Sequence, residues 1–224
     1  MKNPAYIFDL DGTLVDTAPD LLAATNITLR SAGRAEIGTT TFRHMVGFGA
    51  PSLIEQAFAA TGEPVTDEAL PALLDTFLAH YRANIAVASR PFANVESTLA
   101  QLKKNGAALA VLTNKPHDLA ELLLHQLDLM RFFGTVFGAG ARSYKKPDPR
   151  LYHDAIAALG AGDRPSLMIG DSVTDVATAR AARVKVILVS YGYTPEPAHA
   201  LGADAVTDDF AEIPELARRL GLGL

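Results

Sequence analysis

Asp9 and Asp11 are carboxylates spaced by one residue, placed directly after the apolar run Tyr6-Ile7-Phe8 and just before Gly12. In extended chain, positions i and i+2 point the same way, so this spacing predicts two acids leaving the end of a buried strand side by side. Neighbouring carboxylates repel unless a cation or a proton lies between them. The pair therefore calls for a divalent metal, a shared proton, or both. A polar strand end running into a turn is the plain alternative. An EF-hand loop also spaces acids by one residue, but it needs glycine at its sixth position. Gly12 is the fourth residue counting from Asp9, and no helical pattern precedes it.

Other polar groups recur at the ends of apolar runs. Thr113 and Asn114 follow Ala108-Leu109-Ala110-Val111-Leu112, Asp171 and Ser172 follow Ser166-Leu167-Met168-Ile169, and Asp175 opens the next helical stretch. Lys145-Lys146-Pro147 comes after Thr135-Val136-Phe137. Carboxylates plus water suit Mg2+, and a metal with a lysine and backbone N–H groups can neutralise a phosphoryl group. The chain has no cysteine and no Gly-x-Ser-x-Gly, which leaves an aspartate as the nucleophile to consider. Phosphoryl transfer asks mainly for positioning and charge neutralisation. The demand is large, since catalysed phosphate-monoester hydrolysis can be accelerated by up to ~10^21-fold.

The elements that must hold these groups follow from periodicity. Between Thr17 and Ile85 the pattern is helical, with stripes such as Leu70, Leu73, Leu74, Phe77, Leu78 and Tyr81, and no strand. Residues 88–92 read as a linker. Beyond them, apolar runs alternate with helical stripes, which predicts a doubly wound parallel sheet, a Rossmann-like α/β core. Ligands bind such sheets outside the carboxyl ends of the strands, where all the groups above fall. The expected organisation is a discontinuous core, residues 1–16 and 88–224, with an inserted α-helical cap over 17–87. Two linkers, near Asp16 and at 88–92, would let the cap open and close.

Composition narrows the partners. The 224 residues are 49% hydrophobic, enough for a proper core, and the formal net charge is −5 with both signs scattered. That speaks against a general nucleic-acid surface. No apolar run reaches membrane-spanning length, and the N-terminal stretch is too short for a signal peptide. The expectation is a cytoplasmic protein acting on a small phosphorylated metabolite, with no membrane or nucleic-acid partner, as a monomer or homodimer.

The four motifs together resemble those of the haloacid dehalogenase superfamily. Asp9-Leu10-Asp11-Gly12-Thr13-Leu14 matches its Asp-x-Asp-x-Thr signature, Thr113 its second-motif hydroxyl, Lys146 its lysine, and Gly170-Asp171-Ser172-Val173-Thr174-Asp175 its acidic fourth motif. Within it the chain is similar to phosphoglycolate phosphatases through Arg43–Ala50, Leu112–Pro116, Lys145–Pro149 and Tyr191-Gly192-Tyr193. The resemblance implies a Mg2+-dependent phosphatase acting through an aspartyl-phosphate, most naturally on 2-phosphoglycolate. Asp9 would attack phosphorus and bind the metal. Asp11 would serve as acid and base, its carbonyl also on the metal. Thr113 and the Asn114 N–H would hold phosphate oxygens, with Gly12 and Thr13 N–H groups adding donors. Lys146 would neutralise the phosphate and Asp9. Asp171 would bind the metal, and Asp175 would bind it through water or orient Lys146. The cap loop Gly47-Phe48-Gly49 would face the substrate, and Phe48 stands where the resemblance calls for asparagine.

Several alternatives are weighed against this. A phosphosugar mutase would share the same acids but need more cations in its cap loop, and Val46 to Leu53 has none. A retired, non-catalytic phosphate-binding regulator would not need every motif intact. A dehalogenase would lack Asp11, and a phosphonate hydrolase would need a cap lysine. Lys145 reads as a solvated neighbour of Lys146. The six histidines show no metal-ligand spacing, although Arg43 and His44 lie near the cap loop. Gly138-Ala139-Gly140 lacks the third glycine of a dinucleotide fingerprint.

Overall fold

The computed structural model describes residues 3–222. The Met1-Lys2 lead-in to the first strand lies outside them, as do residues 223–224 of the expected core. In chain order the elements are β1 (Ala5–Phe8), β2 (Val15–Asp16), α1 (Ala18–Ser31), α2 (Thr39–Arg43), α3 (Ala50–Thr61), α4 (Leu70–Ala83), β3 (Arg90–Pro91), α5 (Val95–Lys104), β4 (Ala108–Pro116), α6 (His117–Gln126), β5 (Thr135–Ala139), α7 (Pro149–Ala158), β6 (Ser166–Gly170), α8 (Val173–Ala182), β7 (Lys185–Val189), β8 (Ala205–Thr207) and α9 (Ile213–Arg219).

Six strands form one sheet in the order β5-β4-β1-β6-β7-β8, all neighbours parallel. The order reverses at β1, which lies between β4 and β6. A reversal of this kind opens a crevice at the carboxyl end of the strands. Phe8 pairs with both Val111 and Ile169. Asp9, Thr113 and Asp171 therefore emerge within two residues of one register line.

Alternation along the strands feeds two layers. Tyr6 and Phe8 point into an apolar cluster with Leu99, Leu102, Phe210, Ile213 and Ala217. Ile7 points to the other face, against Leu151, Tyr152, Ala155 and Val176. Every residue of β1 is fully buried, as expected of a central parallel strand covered on both sides. Residues 17–87 contain helices and no strand. Their apolar stripes, including Leu21, Phe42, Leu53, Phe58, Phe77 and Tyr81, join the first of these clusters. The helical block is thus packed onto the sheet through continuous apolar contact.

The structure departs from the sequence reading in three places. Residues 88–92 are not a free linker: β3 pairs antiparallel with β2, Val15 opposite Pro91 and Asp16 opposite Arg90. The buried Asp20 of α1 fixes the same stretch, accepting from the Ala88 and Ser89 N–H groups and from the Ser89 hydroxyl. A buried carboxylate must be satisfied in this way, so the return of the chain is clamped. Second, β4 continues beyond Leu112 through Pro116, which keeps Thr113, Asn114 and Lys115 in extended chain. Third, the closing helix expected over 209–220 is split into a 3-10 turn, Phe210–Glu212, and α9. Pro214 has no N–H to carry an α-helical bond back to Phe210.

Candidate active site

Asp9, Asp171 and Asp175 converge at the crevice, all three buried, with carboxylate oxygens within 4.8 Å of one another. Asp9 follows β1, and its own N–H donates to Ile169 O of β6 at 2.8 Å. Asp171 follows β6, and Asp175 lies in the first turn of α8. Burial raises the pKa of Asp9, with Lys146 opposing and Asp175 adding to the rise. Burial also raises Asp171, reinforced by Asp175 and Asp9.

One ammonium serves this cluster. Lys146 Nζ lies 2.7 Å from Asp175 Oδ1 and 2.9 Å from Asp9 Oδ1. Burial works against its charge, but Asp175 and Asp9 outweigh burial and hold its pKa above the ordinary value. Lys145 is exposed while Lys146 is 2% exposed, so the inward lysine is the expected one. Both oxygens of Asp175 are engaged. Oδ1 takes Lys146, and Oδ2 accepts from Ser172 N–H, Ser172 Oγ and Asp171 N–H. Its geometry is that of a residue that orients Lys146.

Asp171 is held just as firmly. Thr13 Oγ1 donates to one oxygen at 3.0 Å and Tyr193 N–H to the other at 2.8 Å. Glycines make room for it. Gly12 has φ +83°, and a Cβ there would sit 2.6 Å from Asp171 Oδ2, while one on Gly192 would sit 2.2 Å from Asp171 Cβ. Any other residue at either place would push the carboxylate out of position.

The residues fit a divalent cation. Three carboxylates face one ammonium, which leaves excess negative charge in a buried place. Apart from the Lys146 ammonium at 2.9 Å, Asp9 Oδ1 is buried without a hydrogen-bond partner. An all-oxygen donor set suits a hard cation. None of the six histidines joins the cluster.

Asp11 behaves differently from the expected side-by-side pair. Its carboxylate turns to Lys115, whose Nζ is 2.9 Å from Oδ1 and 3.2 Å from Oδ2. It is not part of the three-carboxylate cluster. Each acid of the Asp9-Leu10-Asp11 stretch thus has its own ammonium, which relieves the repulsion without a shared ion.

A pocket opens over Asp9, Asp11, Thr113, Asn114 and Lys115 from the sheet side. Gly47, Gly49, Leu53, Phe77 and Tyr81 of the helical block close it from the other. Asn114 bridges the two sides, its Nδ2 donating to Gly47 O and to Lys146 O, while its buried Oδ1 has no partner. The Thr113 hydroxyl accepts from Lys115 N–H.

Two of the expected groups are placed differently. The Gly12 and Thr13 N–H groups do not face the pocket. They donate to Val15 O and Leu10 O, because the loop closes tightly on itself, and Thr13 points its hydroxyl at Asp171. Phe48 does not line the pocket either. Its side chain is 42% exposed, and only its flanking glycines reach the cavity. Gly47 and Gly49 have φ of +111° and +93°, and this backbone turns the intervening side chain outward. Arg43 packs over the Tyr193 ring and approaches Asp16, away from the pocket, and His44 is exposed.

The sequence assigns no site role to Lys115, Tyr81 or Tyr193. Lys115 is 5% exposed and Tyr81 1%. A lysine ending a buried strand beside Thr113 and Asn114 was a readable signal. Tyr81 gave none, since it completes an ordinary apolar helical stripe. The Tyr193 hydroxyl donates to Asp16 and accepts from the N–H groups of Thr17 and Ala18, so one residue ties Asp171 to the start of α1.

The fold as a whole is shared with known proteins. The model of the haloacid dehalogenase-like hydrolase family matches residues 6–189, and the chain belongs to that family. It is similar to the phosphoglycolate phosphatase of Caulobacter vibrioides, 47% identical over 96% of this chain and 91% of that one. It is also similar to the phosphoglycolate phosphatase of Rhodospirillum rubrum, 42% identical over 93% of this chain and 88% of the relative. Among solved structures, a predicted phosphoglycolate phosphatase from Haemophilus somnus superposes with a TM-score of 0.90 at 28% identity, covering 97% and 99% of the two chains.

Proposed function

We propose that this chain is a Mg2+-dependent phosphatase that hydrolyses a small phosphate monoester, 2-phosphoglycolate first, through an aspartyl-phosphate on Asp9. The observation that carries the reading is the buried convergence of Asp9, Asp171, Asp175 and Lys146, with Asp9 reaching the pocket between the sheet and the helical block. The names of the relatives supply the substrate.

Asp9 and Asp171, with the Asp11 carbonyl, would hold the metal, and Asp175 would set Lys146. When bound, the metal supplies charge neutralisation for the phosphoryl oxygens and for Asp9. Thr113 and the Asn114 N–H position the phosphoryl group, and Lys146 lowers the negative charge that Asp9 must meet. An Asp9 oxygen bonds to phosphorus as the ester P–O bond breaks, and Asp11 gives a proton to the leaving alkoxide. A water oxygen then attacks phosphorus and yields a proton to Asp11. The Asp9–phosphorus bond breaks, inorganic phosphate leaves, and both acids return to their starting forms.

Residues 17–87 act as a cap over a core formed by 1–16 and 88–224. The paired β2–β3 ribbon is its hinge, and closure excludes bulk water during transfer.

The test is phosphate release from a panel of small esters, with Mg2+ and with chelator, by wild type and Asp9→Asn. Expected are Mg2+-dependent release greatest for 2-phosphoglycolate, and a loss of at least about 10^4-fold in Asp9→Asn. Retained turnover in Asp9→Asn would refute the covalent route. Preference for another ester would move the substrate and keep the chemistry.

A further inference from the structure

Lys115 is the one cationic side chain among the described residues lining the pocket. It sits two residues beyond Thr113 on the extended β4 chain. Two residues of strand span roughly 6–7 Å, comparable to the reach from a phosphoryl group to a carboxylate one carbon beyond the ester oxygen. The pocket runs without interruption from Asp9 to Lys115, and its remaining wall is largely apolar: Leu21, Met45, Val46, Leu53, Phe77 and Leu78.

The neighbour of Lys115 on the helical side is Tyr81. Lys115 Nζ donates to the Tyr81 hydroxyl at 2.7 Å. That hydroxyl is then an acceptor, and its own proton has no acceptor among the described residues. A buried hydroxyl normally uses its proton. An ammonium and an unused O–H, side by side in an apolar pocket, form a site for an anionic oxygen. They come from opposite walls, the sheet and the helical block, so an anion bound there would touch both.

We propose that Lys115 and Tyr81 form the seat for a carboxylate on the substrate's leaving group, and so select phosphate esters that carry a second anion. The proposal rests on the phosphatase reading for its substrate class, and deepens it. The discriminating group is on β4 and α4, not in the Gly47-Phe48-Gly49 loop. A phosphorylated neutral alcohol would reach Asp9 but leave Lys115 with Asp11 and Tyr81 alone.

Binding separates this from turnover. Titration calorimetry is run with 3-phosphonopropionate and with propylphosphonate, two non-hydrolysable ligands that differ in the carboxylate, on wild type, Lys115→Met, Lys115→Arg and Tyr81→Phe. Wild type should bind the carboxylated ligand roughly 10- to 100-fold more tightly, the range of a charge-assisted hydrogen bond. That preference should vanish in Lys115→Met, fall several-fold in Tyr81→Phe, and largely return in Lys115→Arg. The same variants are assayed for kcat/KM on 2-phosphoglycolate and ethyl phosphate, where the ratio between the substrates should fall in parallel. If wild type shows no preference, or Lys115→Met keeps it, the proposal is overturned even with full phosphatase activity. If the binding preference follows Lys115 while no ester is hydrolysed, the anion seat stands and the phosphatase reading falls. Circular dichroism melts confirm that each variant is folded, and Lys115→Arg and Tyr81→Phe keep the test decisive if Lys115→Met is not.

Discussion

Lys146 and Lys115 are both buried ammonium groups, and each faces one acid of the Asp9-Leu10-Asp11 stretch, yet they are built differently. Lys146 is enclosed by the core alone: Asp9 from the end of β1 and Asp175 from α8, both within 2.9 Å. Asp175 is itself fixed by Ser172, and the neighbouring Asp171 by Thr13 and Tyr193. Lys115 is held between regions, with Asp11 from the loop after β1 and Tyr81 from the helical block. The Asp11 side chain keeps 12% exposure, against 7% for Asp9 and none for Asp175. The first centre is a fixed charge arrangement suited to chemistry common to any ester. The second bridges the sheet and the helical block, which suits recognition of what differs between esters.

Removing the two lysines should separate the centres most sharply. Lys146→Met leaves three buried carboxylates with no cation, and breaking a buried pair in this way costs about 3–5 kcal/mol. Turnover should fall by at least about 10^2–10^3-fold, the range for losing one preorganised charge donor. Lys115→Met leaves a single acid that can turn to solvent, with a stability loss nearer about 1–2 kcal/mol. Urea midpoints of the metal-free variants compare the two. Equal losses would mean the Lys115 centre is as rigid as its neighbour and would break the distinction.

A smaller effect concerns pH. Asp9 is pushed up to about 7 and Asp171 to about 8, mainly by burial. A group whose folded pKa lies above its unfolded value binds its proton more tightly when folded. Its stabilisation is complete below the unfolded carboxylate pKa and is lost as pH rises through the folded one. The metal-free protein should therefore lose thermal stability between about pH 5 and 8, by on the order of 5 °C. Excess Mg2+ should oppose the loss at the alkaline end, since it binds the ionised acids of the folded state alone. Melting curves across pH with chelator and with Mg2+ measure both. A flat metal-free profile would mean the acid cluster is compensated by something other than an added cation.

The contrast also explains what was legible in the sequence. Strands β1, β4, β6 and β7 are apolar runs, and the polar residue after each run declares itself, so Asp9, Thr113, Asn114 and Asp171 were readable along with their shared edge. Lys146 was readable beside Pro147. Contacts that cross from the helical block were not. Tyr81 has the periodicity of a core residue, and only the packing of α4 over β4 makes its hydroxyl a partner of Lys115. The pairing of Val15-Asp16 with Arg90-Pro91 was hidden for a different reason: two-residue strands have no period to detect. The partners of Asp11 and of the Gly12 and Thr13 N–H groups depend on how a tight loop closes on itself, which spacing alone does not determine.

The last comparison is within the helical block, between Tyr81 and Phe48. Sequence position gave Phe48 a place facing the substrate, and the backbone of Gly47 and Gly49 turns it outward to 42% exposure. Phe48→Asn should then change stability by no more than about 0.5 kcal/mol, as for other surface substitutions. The ratio of kcat/KM for 2-phosphoglycolate over ethyl phosphate should move by less than about 3-fold, well short of the fall expected for Lys115→Met. A larger shift would show that the loop rotates Phe48 inward when substrate binds. It would also move part of the selection from the strand wall, where Lys115 is fixed by β4, to a loop whose glycines permit more than one path.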